Sequence, residues 1–326
     1  MASDKIVIDV MGSDNGPEVL VEGAIGGLAE HSDIGIILVG DESVISAKLD
    51  TLEYDRSRLE IVHATEVINN YDSPMDAIFK KTDSSLVKAL TTASAREDVL
   101  GVICASSTGA LLAGSLRYLP AKQLKRPALA AILPAEKGGF TCLVDMGANI
   151  DCGSRQLVDF AHMGAEFMQK YYGIENPRIG LLSNGSEPTK GNKLVKETHA
   201  LLAADEALNF VGNIEGNNAL TGDCDVLVCD GFAGNQVFKS AEGIARRLIT
   251  DIVRYAKKTG SPEAMKIVGY LMARYDFSAL GGGIILGAGK PIVKARGSAN
   301  ADSIRNITSM LVNMAQNKDI YHGKEY

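Results

Sequence analysis

The chain has 326 residues, enough for a large core in one α/β domain or in two lobes, and its 46% apolar and 22% charged content is ordinary for a soluble globular protein. A formal net charge of −7 with no long basic tract argues against a general nucleic-acid binder. Five cysteines without a CxxC, and five scattered histidines (31, 63, 162, 199 and 322), indicate neither disulfides nor zinc, so no metal or other cofactor is expected. No apolar run approaches the roughly 18 residues of a membrane span, and the N-terminus lacks a signal-peptide profile. A reducing, cytoplasmic setting fits best.

In chain order, residues 5–11 (KIVIDVM) read as a first buried strand, followed by Gly12-Ser13-Asp14-Asn15-Gly16 and a helix that opens on Pro17. A second strand covers 34–39, a helix 42–49 and a shorter strand 59–62. Ser73 and Pro74, as cap and first position, predict one long helix to about 96. Strand 99–104 leads through Ser106-Ser107-Thr108-Gly109 into the next helix. Strands 128–133 and 140–144 form a pair, the second ending in Asp145-Met146-Gly147-Ala148-Asn149. Then come helix 156–172, strand 178–182, the loop 183–191, helix 192–203 and strand 209–212.

Residues 225–229 form a short apolar run of the kind buried on both faces in parallel sheets. It stops at Asp230-Gly231, and from about Asn235 the residues Val237, Ala241, Ile244, Leu248 and Ile252 repeat with helical spacing on one face. A Gly-Ser-Pro break at 260–262 and a second helix over 263–274 make a helical hairpin spanning about 235–275. Gly281-Gly282-Gly283, strands near Ile284 and Ile292, and a final amphipathic helix close the chain. Strands alternate with helices from end to end, the doubly wound α/β signature, and no low-complexity linker or fixed-period repeat divides the chain.

Three strands end in aspartate, at Asp9, Asp145 and Asp230, so Asp, Gly, Asn and Ser are delivered to one edge of the sheet, where open α/β folds bind ligands. Turn geometry alone would also account for an Asp and a Gly there. The familiar nucleotide fingerprints fail: Pro291 follows Lys290 where a P-loop needs Ser or Thr, Leu286 breaks a GxGxxG, and no GxSxG elbow exists. The loop 183–192 (SNGSEPTKGN) sets Lys190 among small polar residues between a strand and a helix, a plausible anion site whose alternative is a solvated loop lysine. Among the cysteines, inert burial is the expectation, with Cys229 beside Asp230 the one to watch.

Together these segments resemble the bacterial phosphate acyltransferases of phospholipid synthesis, the acyl-carrier-protein:phosphate acyltransferase (PlsX) family. The matching stretches run in order over nearly the whole chain: DVMGSDNGP from Asp9, SPMDAIFKKTDSS from Ser73, STGA from Ser107, RPALAAILP from Arg126, LVDMGANIDC from Leu143, NPRIGLLSNGSEPTKGN from Asn176, FVGNIEG from Phe210, CDVLVCDGFAGNQVFKSAEG from Cys224 and YDFSALGGGIILG from Tyr275. The resemblance implies transfer of a long-chain acyl group from acyl-carrier protein to inorganic phosphate, a Rossmann-like three-layer α/β/α fold related to isocitrate and isopropylmalate dehydrogenases in a single domain over 1–326, and a homodimer. It implies catalytic roles for Lys190 and Asp230. Phosphate and substrate binding is expected at Asp9, Gly12, Ser13, Asp14, Ser107, Thr108, Gly109, Asp145, Asn149, Asn184, Gly231 and Asn235.

The chain departs from the family pattern at Ser13, at Ser106 and Ser107, at 281–287 and at Arg296. These departures keep two alternatives open, a short-chain acetyl- or butyryl-type phosphate acyltransferase and a catalytically weak scaffold binding acyl-carrier protein or membrane. An NAD-dependent oxidation would lack its dinucleotide fingerprint. On the hairpin, Ile267, Val268, Tyr270, Leu271, Met272, Tyr275 and Phe277 lie among Lys257, Lys258, Lys266 and Arg274, a pattern suited to a peripheral membrane contact, a dimer contact or ordinary core.

Overall fold

The computed structural model describes residues 4–121, 126–275 and 282–316; Phe277, Gly281 and His322 lie outside them. The chain divides into two compact units, one built from the described parts of 1–129, 169–174 and 281–326, the other from those of 130–168 and 175–280.

The first unit begins with β1 (Asp4–Asp9), α1 (Pro17–Glu30), β2 (Ile34–Gly40), α2 (Glu42–Leu49), β3 (Leu59–His63), α3 (Pro74–Lys80), α4 (Ser85–Ala95), β4 (Val99–Cys104) and α5 (Thr108–Tyr118). The second holds chiefly β5 (Ala128–Pro134), β6 (Phe140–Val144), α6 (Ser154–Tyr172), β7 (Arg178–Ser183), α7 (Lys193–Ala203), β8 (Asn209–Glu215), β9 (Val226–Val228), α8 (Gly231–Thr259) and α9 (Pro262–Tyr275). The chain then returns to the first unit with β10 (Gly283–Leu286), β11 (Ile292–Lys294) and α10 (Ala301–Ala315).

In the first unit the strand order is β3-β2-β1-β4-β11-β10, parallel except for the β10–β11 pair. All seven residues of β2 are buried, as an apolar run covered on both faces must be. The covering comes from two groups of helices, α1 with α2 and α10, and α4 with α5. Gly23 and Gly27 of α1 let α10 come close: a Cβ at Gly23 would lie 2.5 Å from the Ala301 carbonyl oxygen, and one at Gly27 2.7 Å from Thr308. Lys290, which failed as a P-loop lysine, donates to the carbonyls of Ala93, Arg96 and Val99, tying down the end of α4 and the start of β4.

One expected helix is two. The stretch from Pro74 breaks after Lys80, because Lys81 turns its ammonium to the Val67 carbonyl and Asp72 while Ser84 starts α4 afresh by accepting from the Val87 amide.

In the second unit β6, β9, β7 and β8 are parallel neighbours in that order, and β5 pairs antiparallel with β6. Helix α6 packs on this sheet through Gly164, where a Cβ would stand 2.5 Å from Val226 Cγ1. Helices α8 and α9 form the expected hairpin, turned at Gly260, whose φ of 66° suits glycine. The periodic apolar residues of α8 are not all interior: Ile244 is 61% and Leu248 57% exposed. Central sheets flanked by helices in this βα order constitute the α/β class that the alternation of elements predicts and the Rossmann-like arrangement that the resemblance implies.

Candidate functional site

The predicted site residues fall into two groups, one in each unit. In the second unit, three adjacent parallel strands pair Val144, Val228 and Leu181 side by side, β6 and β9 ending there and β7 two residues further on. Their carboxyl ends therefore carry three neighbouring loops, beginning at Asp145, at Cys229-Asp230 and at Asn184.

Asp145 is fully buried and organises its own turn. One carboxylate oxygen accepts from the amides of Gly147 (3.0 Å) and Ala148 (2.9 Å), the other from the Asn149 amide (2.7 Å) and side chain (2.8 Å). Burial pushes its carboxyl above the usual range, and these donors pull it back. Asn149, also buried, accepts at its carbonyl from the Gly231 amide (2.8 Å). The two loops approach so closely that a Cβ at Gly231 would lie 2.6 Å from the Asn149 carbonyl oxygen, and one at Gly234 1.9 Å from that of Asp145. Asn235 reaches back to the Met146 carbonyl at 3.3 Å. Cys229 is buried, donates to the Asp145 carbonyl, and burial drives its thiol far above its usual range, which suits packing and not reactivity.

Asp230 differs. It is the N-cap of α8, extended at φ −73° and ψ 162°, with Oδ1 accepting from the Ala233 amide at 2.8 Å. It is only half-buried, and among the described residues nothing donates to Oδ2. On the neighbouring loop Asn184 Oδ1 accepts from the Gly191 amide (2.8 Å), and the Lys190 amide donates to Glu187 (3.0 Å). Gly191, at φ +96°, allows the chain to turn into Asn192, which caps α7. Lys190 is exposed, its stem beside Gly185, and its ammonium has no hydrogen bond or ion pair among the described residues. This unit thus sets an uncommitted cation and a half-committed carboxylate on the loops of adjacent strands, each loop leading into a helix start.

In the first unit the corresponding loops follow Asp9, Cys104 and Lys294, which are paired across β1, β4 and β11. Asp9 is fully buried, accepting from Ser106 Oγ (2.7 Å), the Met11 amide (3.1 Å) and Cys104 Sγ (3.5 Å). Gly12, at φ +77°, passes so near Ser106 that a Cβ would stand 2.8 Å from the serine's own. Ser13 Oγ and the Asp14 amide both donate to the Gly297 carbonyl, at 3.0 and 2.8 Å. Ser107 caps α5 without using its hydroxyl on the helix, with Thr108 and Gly109 in the first turn. Two residues that sequence reasoning did not assign to the site join this group. Ser106 holds Asp9, and Lys294 donates to the Ala105 carbonyl (3.2 Å), with burial lowering its ammonium's pKa. A lysine inside the apolar run PIVKA was the available signal for Lys294.

Among the described residues no cluster of three or more His, Cys, Asp and Glu side chains could hold a metal, and no helix is long and apolar enough to cross a membrane.

Residues 4–321 match the family model for fatty acid synthesis protein. A phosphate acyltransferase of Caldanaerobacter subterraneus subsp. tengcongensis is 41% identical over 327 residues, covering 98% of this chain and 96% of that protein. Among solved structures, a phosphotransacetylase from Streptococcus pyogenes matches with a TM-score of 0.61 at 15% identity, over 97% of this chain and 95% of that one. A branched-chain phosphotransacylase from Enterococcus faecalis V583 gives 0.59 at 18% identity, over 98% and 99%. At those identities the structural likeness is one of fold.

Proposed function

Because the chain belongs to the family of fatty acid synthesis proteins, we propose that it transfers a long-chain fatty acyl group from acyl-carrier protein to inorganic phosphate, giving acyl phosphate and free carrier thiol. A phosphate oxygen attacks the thioester carbonyl carbon, the C–O bond forms as the C–S bond breaks, and the sulfur leaves as thiolate, to be protonated by solvent. Phosphate is already anionic near neutral pH, and a cysteine-like thiol with pKa about 8.5 leaves readily. The enzyme's task is therefore to orient the reactants and stabilise charge.

The observation that carries this reading is the pair of uncommitted groups on adjacent strand ends, the Lys190 ammonium and Asp230 Oδ2. Lys190 is assigned to phosphate and the developing oxyanion, while the Gly231 amide is spent on the Asn149 carbonyl and holds the turn. Asp230 is assigned to orienting Lys190 or a phosphate proton. Asn184, Asp145, Asn149 and Asn235 hold these loops in shape. In the first unit, Gly12 and the α5 start at Ser107, Thr108 and Gly109 are assigned to an anionic group in their own right, on a base fixed by Asp9, while Ser13 and Asp14 shape the loop through the Gly297 carbonyl.

The test supplies acyl-carrier-protein thioesters and coenzyme A thioesters of graded length with phosphate, traps acyl phosphate with hydroxylamine, and follows free thiol. Phosphate-dependent product from long chains on the carrier is the expected result. Product from acetyl or butyryl thioesters alone would turn the assignment to a short-chain acyltransferase, and no product from any thioester would leave a scaffold.

The reading includes a homodimer and a reversible membrane contact near Leu271. Support comes from Ile267 and Tyr270, each 51% exposed, and Met272, 49% exposed, close to Lys266 and Arg274. Co-sedimentation with anionic vesicles, lost in Leu271→Asp, is expected. Binding unchanged by that substitution would rule the contact out.

A further inference from the structure

Along α8 the second unit contains a groove of about 430 Å³, within the size range of small-molecule sites. Leu133, Gly216, Leu220, Val237, Ala241 and Ile244 contribute to its wall, and among the described residues no lining side chain is ionisable. Its course follows from the strands. Gly216 comes directly after the last residue of β8, at the carboxyl edge, and a Cβ there would be 3.9 Å from Val237. Leu133 pairs with Thr141 near the amino-terminal end of β6. The groove therefore runs from the loop-bearing edge back along the sheet.

Helical spacing ties it to the candidate site. Ala233, whose amide Asp230 accepts, is followed at four-, four- and three-residue steps by Val237, Ala241 and Ile244, so the groove lies under the same face of α8 that its cap begins. From Asp230 to Ile244 the helix advances about 21 Å. Half the hydrocarbon core of a bilayer, the depth one extended lipid chain fills, is about 15 Å.

We propose that this groove seats the fatty acyl chain of the substrate, with the reacting carbonyl at the Asp230 end and the methyl end toward Leu133 and Ile244. The assignment rests on the acyl-transfer reading above and adds where the chain lies. An uncharged, mainly apolar wall suits a hydrocarbon, which brings no polar group to satisfy; an inserted peptide would bring backbone amides and carbonyls that need partners. Each methylene buried is worth about 0.8 kcal/mol, or about fourfold in affinity, so specificity rises with chain length until the groove is full.

Free-thiol release from hexadecanoyl and butyryl thioesters, compared in Ala241→Phe and Ile244→Asp, reads this directly. The wild type is expected to favour hexadecanoyl by about 100-fold or more in kcat/KM. Ala241→Phe fills the groove, and Ile244→Asp puts a charge in it at a side chain 61% exposed, where folding is not at risk. Both are expected to lower that preference at least tenfold, and to weaken dodecyl phosphate binding in titration calorimetry to a similar degree. An unchanged preference in both folded variants would overturn the proposal. So would an equal loss for both thioesters accompanied by a change of oligomeric state in sedimentation, which would make the groove an interface between copies. If neither thioester gives acyl phosphate, the acyl-transfer reading fails, yet dodecyl phosphate binding that is lost in the variants would still support an alkyl-chain site.

Discussion

Asp145 and Asp230 end neighbouring strands and are each followed by a glycine-bearing turn, yet they use their carboxylates in opposite ways. Asp145 is fully buried and spends both oxygens on the amides and side chain of the turn that follows it. Asp230 commits one oxygen to capping α8 and leaves the other without a donor among the described residues. Asp9, closed in by Ser106, Met11 and Cys104, belongs with Asp145. Aspartate at a strand end therefore marks the loop-bearing edge, while the number of donors already facing it separates a residue that builds the edge from one that can act there.

The largest expected effect breaks the comparison on the Asp230 side. Asp230→Asn keeps a capping side chain, since asparagine caps as well as aspartate, and Lys190→Ala removes an ammonium that holds nothing in place among the described residues. Both are expected to lower kcat/KM by about 100- to 1,000-fold, about 3–4 kcal/mol of transition-state stabilisation. Stability should stay within about 0.5 kcal/mol of the parent. Near-normal turnover in a correctly folded Lys190→Ala protein would withdraw the assignment.

The Asp145 side predicts the reverse pattern. In Asp145→Asn an NH2 group must face two of the donors that now meet an oxygen, leaving buried donors unsatisfied at about 1–3 kcal/mol. Urea unfolding should show a loss of about 2 kcal/mol, and any fall in turnover should follow the loosening of the Asn149 and Gly231 contacts. Should Asp145→Asn retain full stability while losing turnover, the distinction drawn between the two aspartates would collapse.

Much of this is legible in the sequence. Strand ends at Asp9, Asp145 and Asp230 follow from apolar runs that stop at aspartate, and Pro17 and Pro74 begin helices as their fixed φ dictates. The family resemblance implies Lys190 and Asp230. Other features were hidden for identifiable reasons. The break between α3 and α4 depends on Lys81 finding the Val67 carbonyl and Asp72, contacts that no local pattern states. The stripe on α8 was read correctly as apolar, but periodicity does not say what covers it, and Ile244 and Leu248 prove exposed. Buried polar partners are least visible: Ser106 meets Asp9 from the loop after β4, 97 residues away in sequence.

The smallest effect tests whether Asp9 is truly of the Asp145 kind. Burial holds its carboxyl above the ordinary value of about 3.9, against the opposing hydrogen bonds from Ser106, Met11 and Cys104. Between that ordinary value and the higher folded one, the folded chain binds more protons than the unfolded chain, so this residue's contribution to stability falls as pH rises through the window and then stays level. Asparagine carries no such charge. The melting temperature of Asp9→Asn relative to the parent should therefore climb from about pH 4 upward and then plateau, by about 2–4 °C for each kcal/mol of charge burial removed. Surface networks do not imitate this. Asp98 and Glu60, held below the usual carboxylate range by Arg96, lose their contribution as pH falls, but they do so in both proteins and cancel in the difference. A difference that stays flat from pH 4 to neutrality would mean that the donors around Asp9 already offset its burial.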